Sequence, residues 1–375
     1  MQSIAHTPEI KGLEEAARIA VAELLGVRSG ERVMIVTNPV ESVHSISSAL
    51  YRAAELAGAE SVLVVQPVRS QLDFADDAVI RAIATNPDVF ISISEGKLGK
   101  DRFASARPYE IDGVQYNHVF RYLLGLRKLR AFWSPKITPE IFARTVPLDY
   151  ERLGRVAESM QRILDEAETV QISAPGGTDI QIGLRGRAAF VDDGDLRSAG
   201  NGGNLPAGEV FISPETGTAD GLIVFDGSVA LHDRDELPDE PVRVQVEQGY
   251  VSSVEGGETA ASLEETLGMS GENALKLEKE GKLPNGQGVV FGANARGLGE
   301  LGIGLNPNAL ISGNMLEDEK VYGTCHIAIG SNYDQDAPAL THLDCLVKKP
   351  TIRVESKNGK VTTLMEEGIS PEMGI

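Results

Sequence analysis

Near Thr169 the sequence changes its period, and that change limits the chain to a small number of architectures. Ahead of it, apolar runs of strand length alternate with segments of helical spacing. Arg32 to Thr37 (RVMIVT), Ser61 to Gln66 (SVLVVQ) and Val89 to Ser94 (VFISIS) are rich in β-branched residues and read as buried strands. Between the first two, Val43, Ile46, Leu50 and Ala53 recur along one helix face, and Gly58 closes the segment. Asn38, Pro39 and Glu41 ahead of them predict a capped helix start. Strands separated by helices imply a parallel sheet with helices packed on it.

After Thr169, short strands punctuated by Gly and Pro dominate, beginning with VQISAPGGTDIQIGL. The expected fold is an α/β N-terminal domain with a parallel sheet (residues 1–168), then a β-rich (α+β) C-terminal domain (residues 169–375). Size alone also predicts two domains at 375 residues. A helix through Leu153, Val156, Met160, Ile163 and Leu164 is the expected bridge, and Glu258 to Leu283 reads as a helical excursion from the β domain.

The net charge of −20, from 55 acidic and 35 basic residues, is the wrong sign for a phosphate-binding surface, so no nucleic-acid partner is expected. No apolar stretch approaches the roughly 18 residues of a membrane span. The start, MQSIAHTPEIKGLEEAARIA, has no basic segment followed by an apolar run, and the two cysteines, Cys325 and Cys345, are too few for a disulfide scaffold. A cytoplasmic protein is the expectation.

The G-x-G-x-x-G at Gly297, Gly299 and Gly302 runs into Ile303, Gly304, Leu305, Asn306 and Pro307, where no helix begins comfortably. A dinucleotide site needs that motif to open a helix. Phosphate-loop, G-x-S-x-G and H-E-x-x-H signatures are absent.

The informative region is Gly202 to Lys348. Residues two apart on a strand share a face. In GELGIGLNP, Glu300, Gly302 and Gly304 lie opposite Leu301, Ile303 and Leu305. In CHIAIG, His326, Ala328 and Gly330 lie opposite Cys325, Ile327 and Ile329; in THLDCLV, His342 and Asp344 lie opposite Leu343, Cys345 and Val347. Each strand has an aliphatic face that anchors it and a second face bearing metal-capable groups. The small residues are expected to leave room for ions and substrate. Glu209 stands between turn residues and a strand in NLPAGEVFISP, and Glu319 precedes His326 by seven residues. His6, His44, His118 and His232 have no such company and read as structural or exposed.

The succession NLPAGEVFISP, ADGLIVFDGS, GELGIGLNP, DEKVYGTCHIAIGSNY and HLD resembles the M29 (aminopeptidase T/S) metallopeptidase family. The resemblance implies two divalent metal ions (zinc, cobalt or manganese, with iron possible) held by Glu209, Glu300, Glu319, His326, His342 and Asp344. Glu300 would bridge the ions, Tyr333 would assist catalysis, and the protein would be a homodimer acting on a small peptide or amide. In this sequence the DEK acid stands further ahead of the histidine than in the founding aminopeptidases, and the Tyr333–His342 segment is short.

Iron-dependent, ring-cleaving dioxygenases resembling 2,5-dihydroxypyridine dioxygenase share the superfamily. They keep the H-x-D pair but lose the acid of PAGEVF, and carry His for the acid of GELGIG and Ser for the histidine of CHIAIG. This chain keeps Glu209, Glu300 and His326 at those positions. A surplus of carboxylates suits a two-ion cluster, in which metal-bound water loses a proton near neutral pH and attacks a carbonyl. The expected activity is therefore a two-metal aminopeptidase, with the ring-cleaving dioxygenase as the alternative.

Overall fold

The computed structural model describes residues 10–70 and 73–373. It forms two compact units. The first comprises the chain up to Leu148 together with Gly194–Ala207, and the second Asp149–Asp193 together with Gly208–Ile375. The change of texture at 168/169 therefore does not coincide with the division. The helix Tyr150–Asp165 belongs to the second unit, where Gln161 donates to the Ala189 carbonyl and Asp165 accepts from the Ala189 amide. Asp149 caps that helix, and Leu153, Val156, Ala157, Met160 and Leu164 form its buried stripe.

The first unit is built on a five-stranded parallel sheet. Its strands lie in the order Gly202–Asn204, Arg130–Pro135, Val89–Ser94, Arg32–Thr37, Glu60–Val65. Val89–Ser94 is buried along its whole length, as a central parallel strand must be. Glu60–Val65 differs from the buried strand expected there: it is the sheet's edge, and Val62 and Val65 are exposed. The helix Glu41–Leu56 buries Val43, Ile46, Ala49 and Leu50. Its N-cap is Val40, without a side-chain cap, so Asn38 is not the capping residue. Asn38 instead donates to the Gln66 and Pro67 carbonyls and accepts from the Glu95 amide, tying loops at the carboxyl ends of three strands.

Two seven-stranded antiparallel sheets make up most of the second unit. One runs Tyr250–Glu255, Val242–Glu247, Asp220–Phe225, Asp179–Gly183, Ala167–Ser173, Thr351–Ser356, Val361–Met365. Its strands alternate, with Val242, Val244, Val246, Ile180, Ile182, Val170, Ile172, Ile352 and Val354 turned inward. The other runs Asp235–Glu236, Val229–Ala230, His342–Lys348, Thr324–Gly330, Leu298–Gly304, Glu209–Ile212, Phe190–Asp192. Two of its central strands, Leu298–Gly304 and Thr324–Gly330, are buried on both faces, including their polar residues. The excursion is a helix, Glu258–Lys279, packed on Gln287–Asn294. No helix among the described residues is long and apolar enough to cross a membrane.

One buried ion pair fixes the base of the first sheet. Arg130 donates through Nε to the Leu25 carbonyl (2.6 Å) and through its two terminal nitrogens to Glu31 Oε1 (3.1 Å) and Oε2 (2.6 Å). Burial disfavours the Glu31 carboxylate, but Arg130 and the Arg28 amide outweigh that and hold its pKa below the usual value. A depressed folded pKa contributes stability that is present above the unfolded value of about 4.3 and lost as pH falls through the folded one. Glu31→Ala is expected to lower unfolding free energy by about 2 kcal/mol at pH 7, under the 3–5 typical of fully enclosed pairs. The deficit should shrink below about pH 4; denaturant titration at both pH values measures it, and an unchanged midpoint at pH 7 would count against the pair.

Candidate metal centre

Register across the second sheet determines which side chains meet. Glu209 lies opposite Asp192 on one side and Gly304 on the other, and Phe211 lies opposite Phe190 and Gly302. A register shift between Leu298 and Glu300 sets Glu300 against Ala328 and Gly302 against His326. Ala328 in turn faces Asp344, and Gly330 faces His342. Directly opposed residues of antiparallel strands project to the same side. One face thus carries Asp192, Glu209, Glu300, His326, His342 and Asp344, with Phe190 and Phe211 beside them.

Glycine on this face has a sharper purpose than leaving room for ions. A Cβ on Gly302 would stand 2.0 Å from both Cε1 and Nε2 of His326, so the imidazole lies directly over that glycine. At Gly304 and Gly330 a Cβ would meet backbone carbonyls instead, Val321 O at 2.2 Å and Thr341 O at 2.1 Å. Those two positions let neighbouring chain segments approach, and the expectation that they open a cavity is corrected.

The functional groups converge closely. His326 Nε2 is 2.9 Å from Glu300 Oε1 and 3.6 Å from Glu209 Oε2. His342 Nε2 is 3.3 Å from both Glu300 Oε2 and Asp344 Oδ1. Ligand atoms of Glu209, Glu300 and His326, and of Glu300, His342 and Asp344, form two groups within 4.8 Å that share Glu300. His342 Nδ1 lies 2.7 Å from the Ser331 carbonyl, which can only accept, so Nδ1 carries a proton and Nε2 is turned toward the carboxylates. That is the orientation of a metal-ligating histidine held by a backbone carbonyl. Glu209 Oε2 is buried without a hydrogen-bond partner, and the buried Glu300 Oε2 and Asp344 Oδ1 share the one His342 Nε2 at 3.3 Å. Buried anionic oxygens with so few donors need a cation, and the donor set fits a metal ion.

Electrostatics agree. Burial disfavours charge on His342, but Asp344 and Glu300 overcome it and raise its pKa well above the ordinary value. His326 is likewise pushed up to about 9, the Glu300 hydrogen bond outweighing desolvation. The two carboxylate partners, Glu300 and Asp344, move down despite their burial. The Glu300–Asp344 end therefore stabilises positive charge, whereas burial outweighs Lys320 at the other end and pushes Glu209 up to about 8 and Glu319 up as well.

A cation of the protein's own completes the cluster. The Lys320 ammonium sits 2.5 Å from Glu209 Oε1, 2.8 Å from Glu319 Oε1 and 3.3 Å from Asp192 Oδ2, and the residue is 1% exposed. Its neighbours Glu317 and Asp318 are not surface acids. Both are fully buried and accept hydrogen bonds from the Leu310, Ser312 and Gly313 amides, which anchors the turn.

An aromatic wall flanks the donors. Phe190 stacks on Phe211 (5.2 Å between centroids), Phe211 meets Tyr333 at 4.9 Å, and Tyr333 packs edge-on against His342 at 5.5 Å. Phe190 and Tyr333 are exposed, at 40% and 50%. Arg187 holds the loop beyond Tyr333 by pairing with Asp336 (2.8 Å) and Asp334 (3.8 Å).

All six metal-capable residues singled out in the sequence lie in this one cluster, with Glu319 joined to it through Lys320. Sequence reasoning missed Lys320, Asp192, Phe190 and Phe211. A basic residue amid acids six positions before His326, and the FVD alternation at Phe190 to Asp192, were the available signals. Among the other histidines, His118 is buried and caps the Val119–Gly125 helix, burial lowering its pKa to about 4. His44 lies near Ser48, His232 pairs with Asp233 at the surface, and His6 falls outside the described residues. The G-x-G-x-x-G glycines lie in and just before the Leu298–Gly304 strand, not at a helix start.

Gly302→Ala is expected to displace the His326 ring and weaken metal binding by about tenfold or more, as loss of a supporting group does. Metal titration of the variant beside the parent protein measures it; equal affinities would contradict the placement of His326.

Comparison with known proteins bears directly on the chemistry. The family model for 2,5-dihydroxypyridine 5,6-dioxygenase (NicX) matches residues 136–354. A curated 2,5-dihydroxypyridine 5,6-dioxygenase of Pseudomonas putida KT2440 is 22% identical over 246 residues, 62% of this chain and 63% of that protein, so the match spans under two thirds of the relative. Among solved structures, the 2,5-dihydroxypyridine dioxygenase of the same organism aligns with a TM-score of 0.69 at 18% identity, over 97% of this chain and 98% of that one. AmpT from Thermus thermophilus aligns at 0.67 and 18% identity, over 96% and 99%. One fold is therefore shared with a dioxygenase and an aminopeptidase. The expected hydrolase, a metalloprotease releasing N-terminal residues, is overturned by the family and curated matches. The acid surplus that suggested it is partly taken up by Lys320.

Proposed function

Because the chain belongs to the 2,5-dihydroxypyridine 5,6-dioxygenase family, we propose that it is an iron-dependent dioxygenase opening a dihydroxylated pyridine or closely related ring. The observation that carries the reading is the pairing of an oxygen- and nitrogen-rich donor set with an exposed aromatic wall. Glu300, His342 and Asp344 would hold the metal, with the His326 imidazole against Glu300 as a further donor. Non-haem iron oxygenases typically use two histidines and one carboxylate; here two carboxylates accompany His342, and His326 is the second imidazole of the cluster. A bound iron(II) would supply the activation of O₂, both of whose atoms enter the product as a ring bond breaks.

The protein's own contribution is position and electrostatics. Phe190, Phe211 and Tyr333 offer flat apolar surface for a planar ring next to His342. Although half of the Tyr333 surface is open, desolvation on its site-facing side and then the surrounding carboxylates raise its pKa, so its hydroxyl stays protonated at neutral pH and can donate to an oxygen on the ring. His342 is fixed by Ser331, and the Glu300 carboxylate spans the two histidines, so the donors are set before substrate arrives.

Iron-loaded protein mixed with 2,5-dihydroxypyridine should consume one O₂ per ring opened, read by an oxygen electrode and loss of ring absorbance. Phe211→Ala should raise KM by about tenfold, the equivalent of one aromatic contact of about 1.4 kcal/mol, without altering metal content. Glu300→Ala should lose both metal and turnover while keeping the fold. No oxygen uptake by the iron-loaded protein across dihydroxypyridines and dihydroxybenzenes would sink the reading.

A further inference from the structure

The acids that could complete a second metal position beside Glu300 are Glu209 and Glu319, and both are already engaged. Glu209 Oε1 and Glu319 Oε1 each lie within 2.8 Å of Lys320 Nζ, and Asp192 Oδ2 is 3.3 Å away. An ammonium has three N–H donors, and here three carboxylates surround it. Its placement is built into the fold. The Lys320 amide donates to the Glu317 carbonyl, its carbonyl accepts from Asn306, and Glu317 and Asp318 clamp the turn from below. The other oxygen of Glu209, buried and without a hydrogen-bond partner, faces His326 and still marks this end of the cluster as a cation position.

We propose that the Lys320 ammonium stands in for a second metal ion, so that the centre takes one ion, at its Glu300–His342–Asp344 end. This rests on reading the cluster as a metal centre. A divalent ion bound through Glu209 and Glu319 would have to share both carboxylates with an ammonium that has no solvent to retreat into. Lys320 thereby sets metal stoichiometry, and a chain with an uncharged residue there would regain a two-ion cluster.

The test counts ions. Wild-type, Lys320→Met and Lys320→Arg proteins are stripped with chelator, re-equilibrated with excess Mn(II) or Zn(II), freed of unbound metal and analysed for ions per chain. One ion is expected in wild type and in the arginine variant, and two in Lys320→Met, whose melting temperature should also keep rising with metal after the first equivalent. Two ions in the wild type overturn the proposal, whether or not the methionine variant folds. A folded Lys320→Met that still binds a single ion overturns it as well. Because no substrate is involved, one ion in a wild type that opens no ring supports this assignment while refuting the dioxygenase reading.

Discussion

Mutual repulsion among buried carboxylates is the constraint on which this structure depends. Asp192, Glu209, Glu300 and Asp344 project from neighbouring strands of one sheet, and Glu319 reaches the same cluster from the adjoining turn. Anions gathered this closely out of water are tolerable only with cations among them. Lys320 answers that need at one end. At the other, two imidazoles crowd Glu300 and Asp344, and a single His342 nitrogen is shared between two of their buried oxygens. The strand register, the glycine beneath His326 and the clamped turn before it all hold these charges in place.

Much of this was legible from the residues alone, because alternation on a strand is local. Leu301, Ile303, Cys325, Ile327, Cys345 and Val347 mark the apolar faces, and the opposite faces follow from counting by two. What was not legible depends on contacts between distant segments. Nothing local says that Asp192 pairs across from Glu209, or that Gly302 lies beneath an imidazole, since both follow from register between strands far apart in sequence. Lys320 was hidden for a related reason. In an acid-rich run a lysine reads as a solvated surface residue, and only the fold turns it inward. The strand at Glu60–Val65 shows the same limit, since its apolar composition does not reveal that it borders the sheet.

The donor-rich strands suggest a hydrolase, which the family and curated matches overturn. Counting donors favoured two ions and hydrolysis, but a donor count leaves out the cations a protein supplies itself. Folds shared by a dioxygenase and an aminopeptidase, both near 0.7 in TM-score to this chain, cannot decide chemistry. The family and curated matches weigh against hydrolysis, and the site adds which carboxylates Lys320 engages and what surface adjoins the rest. Here Glu209 and Glu319 are tied to Lys320, and Glu300, His342 and Asp344 stand beside an aromatic wall.

The most direct examination of this account is a crystal structure of the protein loaded with Fe(II) or Mn(II) and measured at the metal's absorption edge. The account predicts a single anomalous peak about 2.0–2.2 Å from oxygens of Glu300 and Asp344 and from Nε2 of His342, with the Lys320 ammonium still seated on Glu209. A peak between Glu209 and Glu319 with Lys320 turned away, or no peak at the Glu300–His342–Asp344 end, would contradict it.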